Sequence, residues 1–398
     1  MKQFRDVAAQ CSQLPVPDAF AQAHSRALFE QIADEIETEG GSISFARFMA
    51  LALYAPGLGY YTAGAQKFGE AGDFVTAPEI SPLFSHCLAH QAAQVLRALD
   101  GGDILEYGAG SGVMALEIMR ELARIDCLPD HYYIIELSAD LRQRQQQRLR
   151  ENLPQLSERV VWLDALPEVP INGVVFANEV LDAMPVNLFE VQGEGLQEVK
   201  VVLGEQGLTY ALSETGEDLS KVGTLAELAK QRPDGYRSEY NAAVGPWLQS
   251  MASALGEAAV FLVDYGYPQH EFYHPQRSGG SLMCHYRHRS HADPLILLGL
   301  QDITAHVDFT QVAEEAHRAG FDVSGFTSQA YFLMSLGLTE RLADNDPDDI
   351  KQQMLIAQQV RKLTMPNEMG ELFKVIALQK GLALPLQGFM MNDQRGRL

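Results

Sequence analysis

The stretch Glu106-Tyr107-Gly108-Ala109-Gly110-Ser111-Gly112 constrains the fold more than any other part of the chain. It directly follows a short apolar run, 104–107, and directly precedes a helical pattern. Glycines in such a place permit a tight turn and let a ligand approach the backbone closely. The helix start beyond them exposes backbone N–H groups. The surroundings agree with a strand-to-helix junction. Apolar runs at 104–107, 132–136, 160–163, 174–177 and 260–263 alternate with helical stretches, of which 117–123 and 141–149 are plain crossover helices. That alternation predicts βαβ units and a mostly parallel sheet, an α/β fold.

The spacing of the glycines narrows the ligand. A dinucleotide fingerprint starting at Gly108 would place its third glycine at position 113. Here the third glycine is Gly112, one residue early, and an acid stands at Glu106. The pattern E-x-G-x-G-x-G is that of S-adenosylmethionine (SAM) methyltransferases. Such a loop holds an amino acid moiety instead of a pyrophosphate, and Glu106 can accept from a ligand ammonium. Acids and an amide recur at the ends of the following strands. Glu136 is placed to accept from both ribose hydroxyls, Asp164 lies where an adenine amino group would be, and Asn178 with Glu179 ends the fourth run. Ligands of open α/β sheets bind at that carboxyl edge.

Charge and cysteine usage exclude other classes. The chain carries a net charge of −22, which argues against tracking a phosphate backbone and for a basic partner. Cys11, Cys87, Cys127 and Cys284 form no C-x-x-C pair, so a zinc ribbon or a disulfide framework is not expected. The histidines of 285–291 alternate faces on a strand-to-loop stretch and match no metal motif, so no metal is expected. The arginines Arg142, Arg144, Arg148 and Arg150 read as a solvated helix face. The first residues lack a signal-peptide core, and no apolar run reaches the ~18–20 residues of a membrane span. A cytoplasmic location follows as the expectation.

The flanks differ from the central alternation. Residues 1–70 read as a helical cap, with helices over 20–39 and 44–54. Residues 71–340 read as the core, with a β-hairpin over 187–213 and a helical segment over 224–255 inserted. Residues 341–398 read as a helical tail, with an acidic loop at Asp344, Asp346, Asp348 and Asp349 and an amphipathic helix over 351–363.

Further motifs identify a family. They are Gly59-Tyr60-Tyr61, the loop 72–81 from Gly72-Asp73-Phe74 to Ile80-Ser81, the glycine loop, Asn178-Glu179-Val180-Leu181-Asp182-Ala183-Met184-Pro185, Asp264-Tyr265-Gly266, the segment 282–288, and the stretch 302–309. Together they resemble the MidA-type methyltransferases, the family of the mitochondrial complex I assembly-factor arginine methyltransferase. The resemblance covers most of the chain. It implies a Rossmann-like, seven-stranded class I SAM-dependent methyltransferase core with an N-terminal helical cap. For the mitochondrial relatives it implies symmetric dimethylation of an arginine in a complex I subunit.

Site roles follow as expectations. Gly108, Gly110, Gly112, Glu106, Glu136, Asp164 and Asn178 bind the cofactor, and Asp73 and Thr76 close over its amino acid end. Glu179 and Asp182 handle a cationic acceptor, with Glu79 a third candidate. The alternative for Glu179 and Asp182 is capping of a helix starting there. An Asn/Asp-Pro-Pro-Tyr motif is absent, which disfavours adenine methylation. The expected partner is a protein bearing the target arginine, with a homodimer as a further arrangement. A small-molecule methyltransferase, a SAM-binding assembly scaffold and, more remotely, a dehydrogenase are the competing functions.

Overall fold

The computed structural model describes residues 14–64, 75–193, 195–213, 223–342 and 349–398. The acidic positions Asp344, Asp346 and Asp348 lie outside the described residues, as does Asp73. The chain divides into two compact units. The described residues within Met1–Phe74, Ala183–Ala243 and His270–His306 build one, and those within Val75–Asp182, Val244–Gln269 and Val307–Leu398 build the other.

The second unit holds the central sheet. Its strands are β1 (Asp103–Tyr107), β2 (Tyr132–Ile135), β3 (Val160–Leu163), β4 (Ile171–Asn178), β5 (Leu255–Tyr267), β6 (Asp322–Ser328) and β7 (Phe373–Lys380). They run in the order β6-β7-β5-β4-β1-β2-β3, and the short strand Val307–Asp308 also pairs with β5. β1 to β5 are mutually parallel, whereas β7 is antiparallel to both β5 and β6. This is the Rossmann-like class I methyltransferase sheet.

Side-chain alternation assigns its faces. Ile104, Val174, Phe176, Ala259 and Phe261 share one apolar cluster with Leu88, Ala92, Ala115, Ile118 and Leu122. Those last residues come from helices Pro82–Ala98 and Val113–Arg124. Helices Val244–Ser253 and Phe309–Arg318 pack on each other and on β5. Each fully buried Leu or Phe contributes about 1.5–3 kcal/mol, so this layered packing carries most of the unit's stability.

β7 is the main departure from expectation. The tail 341–398 does supply helix Ile350–Thr364, but it then returns a strand to the sheet. The run is buried along nearly its whole length, so it shows neither a helical nor an alternating period. Pro246 also acts differently from a breaker. It lies in the first turn of helix Val244–Ser253, where its missing N–H costs nothing.

The first unit joins the helical cap to the hairpin region. Helix Ala19–Thr38 starts at Asp18, whose side chain accepts from Ala21 N. Helix Phe45–Tyr54 starts at Ser44. Their apolar faces meet Leu188, Val199 and Val201 in one core. Those residues belong to an antiparallel sheet in the order Ser42–Ser44, Gly195–Gly204, Asn187–Gln192, Arg237–Tyr240, with Gly207–Leu212 paired to Gly195–Gly204. Strand Arg237–Tyr240 falls inside the stretch read as helical. A smaller sheet joins Arg289–His291, Met283–Tyr286 and Asp302–Thr304. The histidine-rich segment is thus a hairpin, turned by Arg287 and His288, both at positive φ.

Candidate active site

The glycine loop closes the carboxyl end of β1. Gly108, Gly110 and Gly112 all have φ between 53° and 79°, a region that disfavours residues with a Cβ. Gly112 is also crowded, because a Cβ there would lie 3.1 Å from Gln145 Cγ. The chain then enters helix Val113–Arg124. Glu106, expected to meet a ligand ammonium, is fully buried and accepts from the Tyr132 hydroxyl at 2.8 Å. Burial pushes its carboxyl up to about 8, against the Tyr132 hydrogen bond and with the help of the Glu136 charge.

Glu136 follows β2 and accepts from Ser138 N at 2.9 Å. Its carboxyl lies above the usual range because burial outweighs the hydrogen bonds it accepts. One of these comes from Gln145, a residue that pattern reading missed within a glutamine-rich helix. The Gln145 amide donates to Glu136 Oε2 and to the Gly110 carbonyl, each at 2.9 Å, and accepts from Trp162 Nε1 at 2.8 Å. Asp164, at the end of β3, is largely exposed and pairs with Arg142.

The loop 75–81 reaches the same place. The Ser111 hydroxyl donates to Glu79, tying the glycine loop to the short helix Ala77–Ile80. Thr76 is the residue before that helix and makes no side-chain cap bond to it.

The fourth strand end brings the acidic motif alongside. A Cβ on Gly108 would lie 3.2 Å from Val180 Cγ2, so the 178–182 turn packs on the glycine loop. Asn178 donates to Glu179 at 3.2 Å, while its own amide oxygen is buried with no hydrogen-bond partner among the described residues. Glu179 adopts a left-handed φ of 54°, and its N–H bonds the Val263 carbonyl. No helix starts at Glu179, so the capping alternative fails: residues 179–184 form a turn between strands. Asp264, on β5, organises this turn by accepting from Leu181 N at 2.9 Å and Asp182 N at 3.2 Å. Burial, then the charges of Asp182 and Glu179, push its carboxyl well above the usual range. The Tyr265 hydroxyl donates to Asp182 Oδ2 at 2.6 Å.

A ligand fit follows from these atoms. Glu136 and the unpartnered Asn178 oxygen are acceptors at strand ends, and SAM presents ribose hydroxyls and an ammonium as donors. Among the described residues no group of His, Cys, Asp and Glu side chains is arranged to hold a metal. Nor is any described helix long and apolar enough to cross a membrane.

Residues 87–327 match the family described as "Putative S-adenosyl-L-methionine-dependent methyltransferase". The chain belongs to that family. A solved COG1565 superfamily structure from Burkholderia thailandensis, bound to S-adenosyl-homocysteine, is 44% identical. It covers 97% of this chain and 100% of its own, with a TM-score of 0.93. A second COG1565 structure from the same organism is 43% identical, with 97% and 100% coverage and a TM-score of 0.90. Among curated relatives, the zebrafish (Danio rerio) protein arginine methyltransferase NDUFAF7, mitochondrial, is 27% identical over 92% of both chains. The human (Homo sapiens) NDUFAF7 is 27% identical over 85% of this chain and 80% of its own.

This member of the family is a SAM-dependent methyltransferase, and SAM is its cofactor. The cytoplasmic expectation is corrected. The curated relatives from Danio rerio, Caenorhabditis elegans and Homo sapiens are named as mitochondrial. The expectation rested on two absences, of a signal-peptide core and of a membrane span, and neither specifies a compartment.

Proposed function

We propose that this methyltransferase modifies arginine side chains of a protein partner, with Glu136, Asn178, Asp164, Thr76 and the glycine loop holding the cofactor. The observation that carries the reading is the turn packed against Gly108, which sets Glu179 and Asp182 beside the buried Asp264. The names of the curated relatives support the acceptor type. A protein subunit of respiratory complex I type is the partner class within this proposal. A homodimer, a further arrangement on the sequence reading, has no support from the relatives.

SAM supplies an electrophilic methyl group when bound. The protein must then position the acceptor. A guanidinium has a pKa above about 12 and stays protonated unless a base removes a proton. Planar carboxylates orient its fork through paired N–H···O bonds. Glu179 and Asp182 take that role, and one of them accepts the proton released as the new N–C bond forms. The Tyr265 hydroxyl fixes the Asp182 carboxylate so that its orientation is set before the acceptor arrives.

The test is transfer of labelled methyl from SAM into a lysate lacking this protein, followed by mass spectrometry of the labelled residue. Methylated arginine is expected, with none from a Gly110→Val protein. Label on lipid, nucleic acid or small molecules instead of protein would refute the proposal.

A further inference from the structure

The Gln145 amide makes three hydrogen bonds, two donated and one accepted, within one locality. It joins the glycine loop, the β2 carboxylate and the β3 indole. Trp162 decides which way that amide faces. An indole N–H is only a donor, so it must meet the amide oxygen. The amide NH2 is then left to face Gly110 O and Glu136 Oε2. With the amide turned over, two N–H donors would meet at Trp162, and an oxygen would face both a carbonyl and a carboxylate. Gln145 is fully buried, so water cannot repair that mismatch. Gly112 is shaped to the same side chain, since a Cβ there would press on Gln145 Cγ and Cα.

We infer that Gln145 and Trp162 are positioning residues for the cofactor ribose, acting through the Glu136 carboxylate. The inference rests on the reading that Glu136 accepts the ribose hydroxyls. With Ser138 N donating to Oε1 and Gln145 to Oε2, the ionised carboxylate is stabilised against burial and held in one rotamer, with lone pairs left on both oxygens. Both effects favour accepting from a diol. Neither Gln145 nor Trp162 needs to touch the ligand.

The test measures S-adenosyl-homocysteine binding by calorimetry, with unfolding midpoints taken in its absence. Trp162→Phe removes the N–H together with one of the two indole rings and keeps an aromatic ring at this partly buried position, so the unfolding midpoint reads any packing loss. Gln145→Met keeps the length and removes the amide. Each is expected to weaken binding, by about 10- to 100-fold for Gln145→Met, the scale of a hydrogen bond to a charged group. Trp162→Phe should cost less, and its unfolding midpoint should stay close to that of the parent. The decisive arm is the double variant with Glu136→Ala. If both residues act through Glu136, adding Trp162→Phe to Glu136→Ala should cost no further affinity. Additive losses, or parental affinity in both single variants while Glu136→Ala binds weakly, would overturn the inference alone. Parental affinity in Glu136→Ala itself would remove the ribose reading and this inference with it. Because Trp162 and Trp247 are the only tryptophans, Trp247→Phe leaves Trp162 as the sole indole reporter of ligand arrival.

Discussion

The Tyr265 hydroxyl reaches Asp182 Oδ2 at 2.6 Å, joining the end of β5 to the turn after β4. A phenol donating to a carboxylate at this distance is a strong, oriented contact. Tyr265→Phe should therefore lower kcat by about 10-fold, the low end for losing a hydrogen bond to a charged group, and leave S-adenosyl-homocysteine affinity unchanged. A KM-against-kcat split on an arginine-containing substrate checks this. Equal losses in cofactor affinity would show that Tyr265 supports the cofactor instead.

Glu106 makes stability depend on pH. Its folded value of about 8 lies above the ordinary 4.5, so the folded state holds a proton that the unfolded state has released. Its contribution is complete below pH 4.5 and is lost as pH rises through 8. Between those limits it lowers stability by up to about 1.4 kcal/mol per pH unit. Glu106→Gln keeps the shape and removes the titration. Chemical denaturation across pH 5 to 8 should show a flatter slope for the variant, and an unchanged slope would refute the assignment.

Gly112→Ala tests the loop itself. The added Cβ meets both a left-handed φ of 79° and the Gln145 side chain at 3.1 Å. Destabilisation of about 1 kcal/mol or more is expected from the backbone alone. Cofactor affinity should fall as well, because Gln145 must move to make room. Thermal unfolding and calorimetry read the two effects separately.

A cationic acceptor should respond to salt. The chain carries a net charge of −22, and Glu179 and Asp182 lie where the acceptor is proposed to bind. Binding of an arginine-rich peptide should weaken between about 0.05 and 0.5 M salt as screening shortens the Debye length. Glu179→Gln should reduce that salt dependence. A salt-independent affinity would count against a charged acceptor.

The amino-acid sequence alone determined the succession of β1 to β5, the glycine loop and the acids at the strand ends. Those features are local: apolar periods mark strands and helices, and glycines mark the turn that Gly108, Gly110 and Gly112 make at positive φ. The tertiary structure decided what no local period encodes. It placed Phe373–Lys380 between β5 and β6 and assembled the first unit from separated stretches of chain. It buried Glu106 under Tyr132, turned Gln145 toward Glu136, and set Tyr265 on Asp182. Each of these depends on groups far apart in sequence sharing one desolvated space. There, burial and the obligation to satisfy every donor choose the partners.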